Sequence, residues 1–350
     1  MSSEYDPIGA VTAANPYPYY ASLVSERPLF RDERLAMWVA ASAEAVEAVL
    51  SCPVMRVRPI GQPVPGSIAG TGVGEIFGRL VRMTDGPSHV ALKGAVGTAL
   101  DGTDWNELAA TNDRCARLLS KALAIDDPAA IASYAFEYPA LVTAATLGLP
   151  LERAMRATSW TREFVHAIFP ASGPGEIARG VSATVALRAA LAEEVEPHSL
   201  CARLLREARK SGIGDDVAVA NAIGFLLQGY EATAGLIGNT LVALARRPES
   251  LRRSLAGEME LLHAFVTDVV RDDAPVQNTR RFADRDVKLM GSQIARGDAV
   301  LVVVAAANRD PRATRTYTFG LGAHACPGMR MATTIAAAGV AGLLGAGVDV

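Results

Sequence analysis

One cysteine, Cys326, lies in a loop with few large side chains, FGLGAHACPG over residues 319–328. Each glycine in an ordered segment costs about 0.5–1 kcal/mol of conformational entropy, so the three glycines indicate that something approaches this backbone closely. A thiolate is a metal ligand, and backbone N–H groups near the sulfur with an apolar Phe319 would tune and shield it. The pattern therefore predicts a thiolate ligand for a flat metal cofactor. An inert buried cysteine would leave the glycines unexplained.

The other cysteines, Cys52, Cys115 and Cys201, are far apart and form no C-x-x-C pair. Their spacing argues against a disulfide framework and against a zinc or iron–sulfur cluster. A net charge of -3 without a basic block supports neither nucleic-acid binding nor a polybasic membrane anchor. The first residues, MSSEYDPIGA, lack a basic start followed by an apolar segment, so we expect a cytoplasmic protein.

The cysteine loop resembles the heme-binding signature of the cytochrome P450 family, F-G-x-G-x-H-x-C-x-G, and matches all of its fixed positions. The resemblance implies heme b as cofactor and Cys326 as its iron ligand. It also implies that Phe319, His324 and Gly328 contribute to heme binding, with His324 near a propionate. The implied fold is that of the bacterial, soluble P450 type, mainly α with a small β portion, in a single domain over residues 1–350.

Two basic segments resemble the positions where the family holds the heme propionates. In DGPSHVALK, His89 and Lys93 fall one helical turn apart, at the place of the family's H-x-x-x-R. Lysine here offers a point charge in place of a bidentate fork. In RRFADRDVKL, Arg281 matches the family's propionate-binding arginine. Without the resemblance, the His89 and Lys93 pair would be more typical of a solvated helix face.

The segment LLQGYEATAG resembles the family's central helix, which crosses over the heme. Gly229 matches the glycine that lets this helix deform at the oxygen site, and Glu231 matches the acid of the acid–alcohol pair. The alcohol position holds Ala232, and Thr233 follows about 100° further around the helix. Because alanine cannot relay protons, Glu231 with an ordered water, or a substrate hydroxyl, is expected to take over this role.

Two other regions depart from the family pattern. In TDVVR, Asp268 stands where the family's E-x-x-R helix has glutamate, so we expect a buried ion pair with Arg271 of altered geometry. The meander before the cysteine loop is short and leaves only Arg312 and Arg315 to complete that network. The chain ends at Val350, before the family's C-terminal β segment. The expected fold is therefore a P450 fold shortened before the heme loop and at the C-terminus.

Local patterns assign the elements around these motifs. Residues 28–41 alternate around a charged turn, as a hairpin does, and Ser42 can cap a helix running to about Leu50. Residues 56–74 are rich in proline and glycine, which predicts a long loop. Residues 101–249 read as almost wholly helical, interrupted by turns.

The last part of the chain is expected to begin with strands and end in a helix. Short β segments follow Pro275, and Ala295–Asp298 is expected to be a hairpin turn before a strand at 300–304. The weakly apolar stretch Met331–Val348 consists mostly of small residues, so a buried helix is expected rather than a membrane span.

The resemblance implies a monooxygenase that inserts one atom of O2 into a small organic substrate. No flavin or nicotinamide domain fits beside the heme domain, so a ferredoxin or flavodoxin with its reductase is expected as electron donor. A basic face of Arg330, Lys93 and Arg315 could receive it. Ala232 leaves open a peroxide-using or rearranging enzyme. Asp268 and the short regions leave open a non-catalytic heme sensor or scaffold.

The substrate pocket is expected to draw on several mainly apolar segments, which suggests a hydrophobic or mid-polarity small molecule. These segments are residues 56–80, 164–169, the positions Phe225 and Gln228, and the turn 275–280.

Overall fold

The computed structural model describes residues 6–193 and 195–350 and divides into two compact units. The described residues up to Pro63 and Asp268–Cys326 form one, which we call the sheet unit. The described residues of Val64–Thr267 and Pro327–Val350 form the other, the helical unit. The predicted mainly helical chain with a small β portion is confirmed. Its organisation as a single domain remains a prediction.

The helices are, in chain order, α1 Tyr17–Glu26, α2 Ala43–Ser51, α3 Gly72–Arg79, α4 Gly86–Asp101, α5 Trp105–Ser120, α6 Pro128–Thr146, α7 Leu151–Ala167, α8 Pro174–Glu193, α9 Leu200–Lys210, α10 Asp215–Ala245, α11 Glu249–Gly257, α12 Met259–Asp272, α13 Val304–Asn308 and α14 Met329–Gly345. The strands are β1 Leu29–Asp32, β2 Met37–Ala40, β3 Met55–Arg56, β4 Thr279–Ala283, β5 Val287–Leu289, β6 Ser292–Ile294 and β7 Ala299–Val302.

The sheet unit contains a five-stranded sheet in the order β1-β2-β7-β4-β3, in which β2 and β7 run parallel and the other neighbours antiparallel. The predicted hairpin is present as β1 and β2. The predicted cap is also present, because the Ser42 hydroxyl accepts the backbone N–H of Ala45 at 3.1 Å. Strand β4 places Arg281 opposite Val300 of β7. Local alternation and capping chemistry were therefore sufficient to predict α2 and the hairpin before it.

The prediction of a hairpin turn at Ala295–Asp298 is wrong. This turn joins β6 of a two-stranded sheet to β7 of the five-stranded sheet, so it connects strands that do not pair. The hairpin is the preceding β5–β6 pair, whose turn residues Met290 and Gly291 have φ of 48° and 84°. Strand β7 also ends earlier than predicted, because α13 begins at Val304.

The helical unit is built around α10, which packs against α6, α9 and α14. Close approach is visible at Gly339 of α14, where an added Cβ would lie 2.9 Å from side-chain atoms of both Ile237 and Tyr138. The prediction of a buried C-terminal helix is confirmed, with Val340 and Leu343 fully buried. Within the described residues, no helix combines the length and the apolar character that crossing a membrane requires.

The predicted long loop lies between β3 and α3, and its last residues are helical instead. Thr71 caps α3, because its hydroxyl accepts the backbone N–H of Gly74 at 3.2 Å. The glycines that suggested a loop are thus tolerated in the first turn of a short capped helix.

Candidate heme site

The loop that carries Cys326 closes on itself in a way that requires glycine. Gly320 and Gly322 have φ of 71° and 66°, the left-handed region that glycine enters without strain. A Cβ at Gly320 would lie 3.1 Å from the carbonyl oxygen of His324, which is tighter than ordinary contact. The backbone N–H of Cys326 donates to the carbonyl oxygen of Phe319 at 2.7 Å. These features hold the cysteine at one place on a narrow loop.

The thiol of Cys326 is exposed, whereas Cys115 and Cys201 are fully buried. Burial raises the pKa of Cys115 to about 11 and that of Cys201 to about 12, so neither is a ready thiolate. Cys52 is half-buried at the end of α2. Of the predicted loop residues, Phe319 and His324 are half-buried, and His324 closes a 3-10 turn. Gly328 is the N-cap of α14.

Strand β4 carries Arg281 with its side chain in the sheet unit, and the residue is only 7% exposed. Its Nη1 donates to the carbonyl oxygen of Arg280 at 2.8 Å and to the Thr279 hydroxyl at 3.5 Å. A buried guanidinium favours an anionic partner, and a carboxylate can accept two parallel hydrogen bonds from it. Arg281 therefore has the chemistry expected of a propionate ligand.

His89 and Lys93 lie one turn apart on α4, in the helical unit, as the sequence predicts. His89 is buried, and its Nδ1 lies 2.9 Å from the carbonyl oxygen of Val81. Because a carbonyl only accepts, this contact assigns the proton to Nδ1 and leaves the other ring nitrogen as an acceptor. Lys93 is half-buried. The alternative of a solvated face does not describe this pair.

The donor set fits heme b. A cysteine on a glycine-supported loop would supply a sulfur ligand to the iron, while a histidine, a lysine and a buried arginine match the charge of the two porphyrin carboxylates. Cys326, Phe319, His324 and Arg281 belong to the sheet unit, and His89, Lys93 and Gly328 to the helical unit.

Helix α10 carries the residues predicted for oxygen chemistry. It is continuous over Asp215–Ala245, so no break marks Gly229. A Cβ at Gly229 would meet only the hydroxyls of Thr143 and Thr233, at 3.7 and 4.0 Å, so packing within the chain does not require glycine there. Thr233 is 3% exposed, whereas Ala232 is half-buried. The hydroxyl thus belongs to the interior of the helical unit, as the helical offset predicts.

Glu231 is accessible on α10, and its pKa is shifted upward. Burial of the carboxyl raises this pKa, while the positive charges of Arg82 and His166 oppose the rise. Sequence reasoning did not identify Arg82, and it covered His166 only as part of the pocket segment 164–169. The only signal for Arg82 was a cation between the apolar pair Leu80 and Val81 and the apolar Met83, before α4.

The expectation of a buried ion pair at Asp268 is wrong. Arg271 does pair with Asp268 at 3.3 Å, but the two side chains are 50% and 62% exposed. Arg271 also contacts Asp272 at 2.9 Å, and this adjacent carboxylate competes for the guanidinium. Arg312 pairs with Asp310 at 3.1 Å. The shorter aspartate therefore takes part in a surface pair, which contributes little to stability.

The chain is similar to several known proteins. No family model matches. A putative cytochrome P450 133B1 of Xylella fastidiosa is 27% identical over 356 residues, covering 91% of this chain and 85% of that protein. A vitamin D(3) 25-hydroxylase of Pseudonocardia autotrophica is 29% identical over 362 residues, covering 95% of this chain and 86% of that protein.

Among solved structures, CalO2 superposes with a TM-score of 0.77 at 27% identity, covering 96% of this chain and 89% of CalO2. The fold prediction is thereby confirmed at the level of architecture. The relatives' names and this fold support a bacterial protein of the cytochrome P450 family, a monooxygenase-type oxidoreductase with heme b as cofactor.

Proposed function

We propose that this protein inserts one oxygen atom of O2 into a small organic substrate, with Cys326 as the protein ligand of the heme iron. Heme with a thiolate ligand would supply the redox chemistry of dioxygen when bound. The observation that carries the assignment is the loop geometry, in which Gly320 and Gly322 adopt positive φ and the Cys326 N–H is tied to Phe319. This loop would hold the sulfur in place.

Binding of the porphyrin carboxylates falls to Arg281, His89, Lys93 and His324 in this proposal. Arg281 is buried and can form two parallel hydrogen bonds to one carboxylate. His89 is fixed through its Nδ1 by a backbone carbonyl, which orients its second nitrogen. A single cytochrome P450-like domain over residues 1–350 is part of the same proposal.

Proton delivery is assigned to Glu231. Its raised pKa makes it a better proton donor near neutral pH than an ordinary glutamate, because general acids work best when their pKa approaches the working pH. Ala232 has no hydroxyl, and Thr233 is buried away from it. A water or a substrate hydroxyl next to Ala232 would complete the relay.

Electrons come, in this proposal, from a separate ferredoxin or flavodoxin and its reductase, and a cytoplasmic location is proposed with it. Arg330 is exposed at the start of α14 and its guanidinium lies 3.7 Å from the ring centroid of Trp105. This stacking holds one cation of the proposed docking face in a defined place.

A second candidate is a reaction driven by peroxide, which Ala232 favours. Without a hydroxyl at this position, protonation of dioxygen is harder to control, whereas hydrogen peroxide brings its own protons and electrons. Turnover of the same substrate with a surrogate ferredoxin system and with hydrogen peroxide distinguishes the two. Product only with peroxide would reject the electron-partner proposal.

The test of the thiolate assignment is the carbon monoxide difference spectrum of the reduced protein. Wild type should show the red-shifted band of thiolate-ligated heme, and Cys326→Ala should lose it. Cys52→Ala, at the half-buried cysteine, should keep the band. A wild-type spectrum of the histidine-ligated type, or a full band in Cys326→Ala, would reject Cys326 as the ligand.

A further inference from the structure

Arg82 is held in place by a backbone segment that is fixed to α10. The N–H of Val81 donates to the side-chain oxygen of Asn221 at 2.8 Å, and the Asn221 amide donates to the carbonyl oxygen of Arg79 at 2.9 Å. Leu80 packs so tightly on α10 that a Cβ at Gly224 would lie 2.8 Å from its Cδ2. The carbonyl oxygen of Val81 also accepts a hydrogen bond from Nδ1 of His89. The backbone on both sides of Arg82 therefore has little freedom to move.

The guanidinium of Arg82 has crowded surroundings that still admit water. Its side chain is exposed, yet the protein around it lowers its pKa, and the negative charge of Glu231 only partly opposes this lowering. A side chain that enters a water-accessible space lined by protein has both an exposed surface and a lowered pKa. Among the described residues, the Arg82 side chain forms no hydrogen bond and has no carboxylate within 4.0 Å. A guanidinium in such surroundings is stabilised strongly by an anion that reaches it.

The charged neighbours of Arg82 leave it able to bind one incoming carboxylate. Glu231, on α10, is near enough for each group to shift the other's pKa, and His166 acts on Glu231 in the same direction as Arg82. Burial already raises the pKa of Glu231, and the negative charge of a second carboxylate nearby would raise it further. The guanidinium can then donate two parallel hydrogen bonds to the incoming group.

We propose that Arg82 binds a carboxylate group of the substrate, so that the substrate class of this protein is organic carboxylates. The inference rests on the proposed function, because Glu231 is the residue that the family resemblance assigns to the oxygen site. The same cation could bind a heme carboxylate instead. The experiment therefore measures heme content and ligand selectivity separately.

The experiment titrates the heme protein with matched pairs of a carboxylate and its primary amide, dodecanoate with dodecanamide and 4-phenylbutanoate with 4-phenylbutanamide. Binding is followed by the shift of the heme absorption band and by calorimetry. Wild type should bind at least one carboxylate more tightly than its amide. Arg82→Met should weaken that carboxylate about tenfold to hundredfold and change the amide less than about threefold. Arg82→Lys should recover part of the loss.

Arg117→Met, at an exposed arginine of α5, is the matched control and should leave both affinities unchanged. Thermal melting checks that each variant is folded, and Arg82→Lys keeps the test valid if Arg82→Met is not. Equal weakening of acid and amide, or no preference for any carboxylate in wild type, overturns the proposal. Loss of heme in Arg82→Met without a change in selectivity overturns it in favour of a heme carboxylate. A wild-type protein that binds carboxylates selectively but lacks the thiolate band would contradict the proposed function and not this inference.

Discussion

Single side chains with unusual surroundings mark the candidate site. Arg281 is a cation with only 7% exposure, and its neighbour on the same strand, Arg280, is exposed. Successive residues of a strand face opposite sides, so one arginine points inward while the next meets solvent. The two arginines therefore form a matched pair for testing which cation holds the heme.

Replacing Arg281 by alanine should lower heme affinity by about tenfold or more, because a charge-assisted hydrogen bond contributes about 1.5–3 kcal/mol. Heme content after gel filtration and the rate of heme transfer to apomyoglobin measure this. Arg280→Ala should behave as wild type. If both variants retained heme equally well, Arg281 would not be a propionate ligand.

The offset between Ala232 and Thr233 gives a second residue-level prediction. Ala232→Thr should raise the fraction of reducing equivalents that reach product, because it places a hydroxyl next to Glu231 where protons are needed. Thr233→Val should leave this fraction unchanged, since the Thr233 hydroxyl lies in the interior of the helical unit. Product formed per NADH consumed, with hydrogen peroxide measured in parallel, is the readout. No response to Ala232→Thr would place the relay elsewhere.

Helix α2 depends on a residue far away in sequence. Its first backbone N–H, that of Ala43, donates to the side chain of Asp310 at 2.9 Å, and Asp310 also accepts from Arg312. Burial alone would raise the pKa of Asp310, but hydrogen bonds from Arg312 and from the backbone of Ala43 lower it below its usual value. A negative charge at a helix N-terminus is also favourable.

Asp310→Asn should therefore lower the free energy of unfolding by about 1–2 kcal/mol at pH 7. The loss is modest because solvent screens the attraction between Asp310 and the exposed Arg312. Since the folded-state pKa is depressed, the stabilisation is present above the unfolded-state pKa and is lost as pH falls through the folded value. Urea unfolding of both proteins at several pH values measures the difference. A difference in the free energy of unfolding that persisted unchanged into strong acid would contradict this. The control variant Asp126→Asn, at an exposed aspartate, should unfold with the same free energy as wild type.

Over the whole molecule, the four cysteines differ in access to solvent, and this separates the ligand from the rest. Cys115 and Cys201 are buried with pKa values raised to about 11 and about 12. At pH 8 their thiolate fractions are on the order of 0.1% or less, so alkylation should be very slow. The polypeptide leaves Cys326 exposed, so its thiol should be alkylated once heme is removed.

Iodoacetamide labelling read by mass spectrometry checks this expectation. Heme-free protein should be modified at Cys326, whereas heme-loaded protein should be protected there, because an iron-bound sulfur is not a free nucleophile. Cys115 and Cys201 should react only after unfolding. Rapid labelling of Cys326 in the heme-loaded protein would argue against its role as ligand.

The sequence by itself determined the features that depend on neighbouring residues. The glycines of the cysteine loop, the Ser42 cap, the hairpin before it and the buried C-terminal helix follow from backbone freedom, capping and periodicity within a few residues. The family resemblance added the identity of the cofactor and the residues expected to bind it. Each of these signals is local, so it can be read along the chain.

Only the tertiary structure decided which distant residues meet. The sheet order put β7 between β2 and β4, so the turn at Ala295–Asp298 joins different sheets. The pair at Asp268 lies at the surface because a shorter side chain and a competing Asp272 meet Arg271 there. Arg82 comes within electrostatic reach of Glu231 because Asn221 ties its backbone to α10. Such contacts depend on packing between elements distant in sequence, which no local pattern encodes.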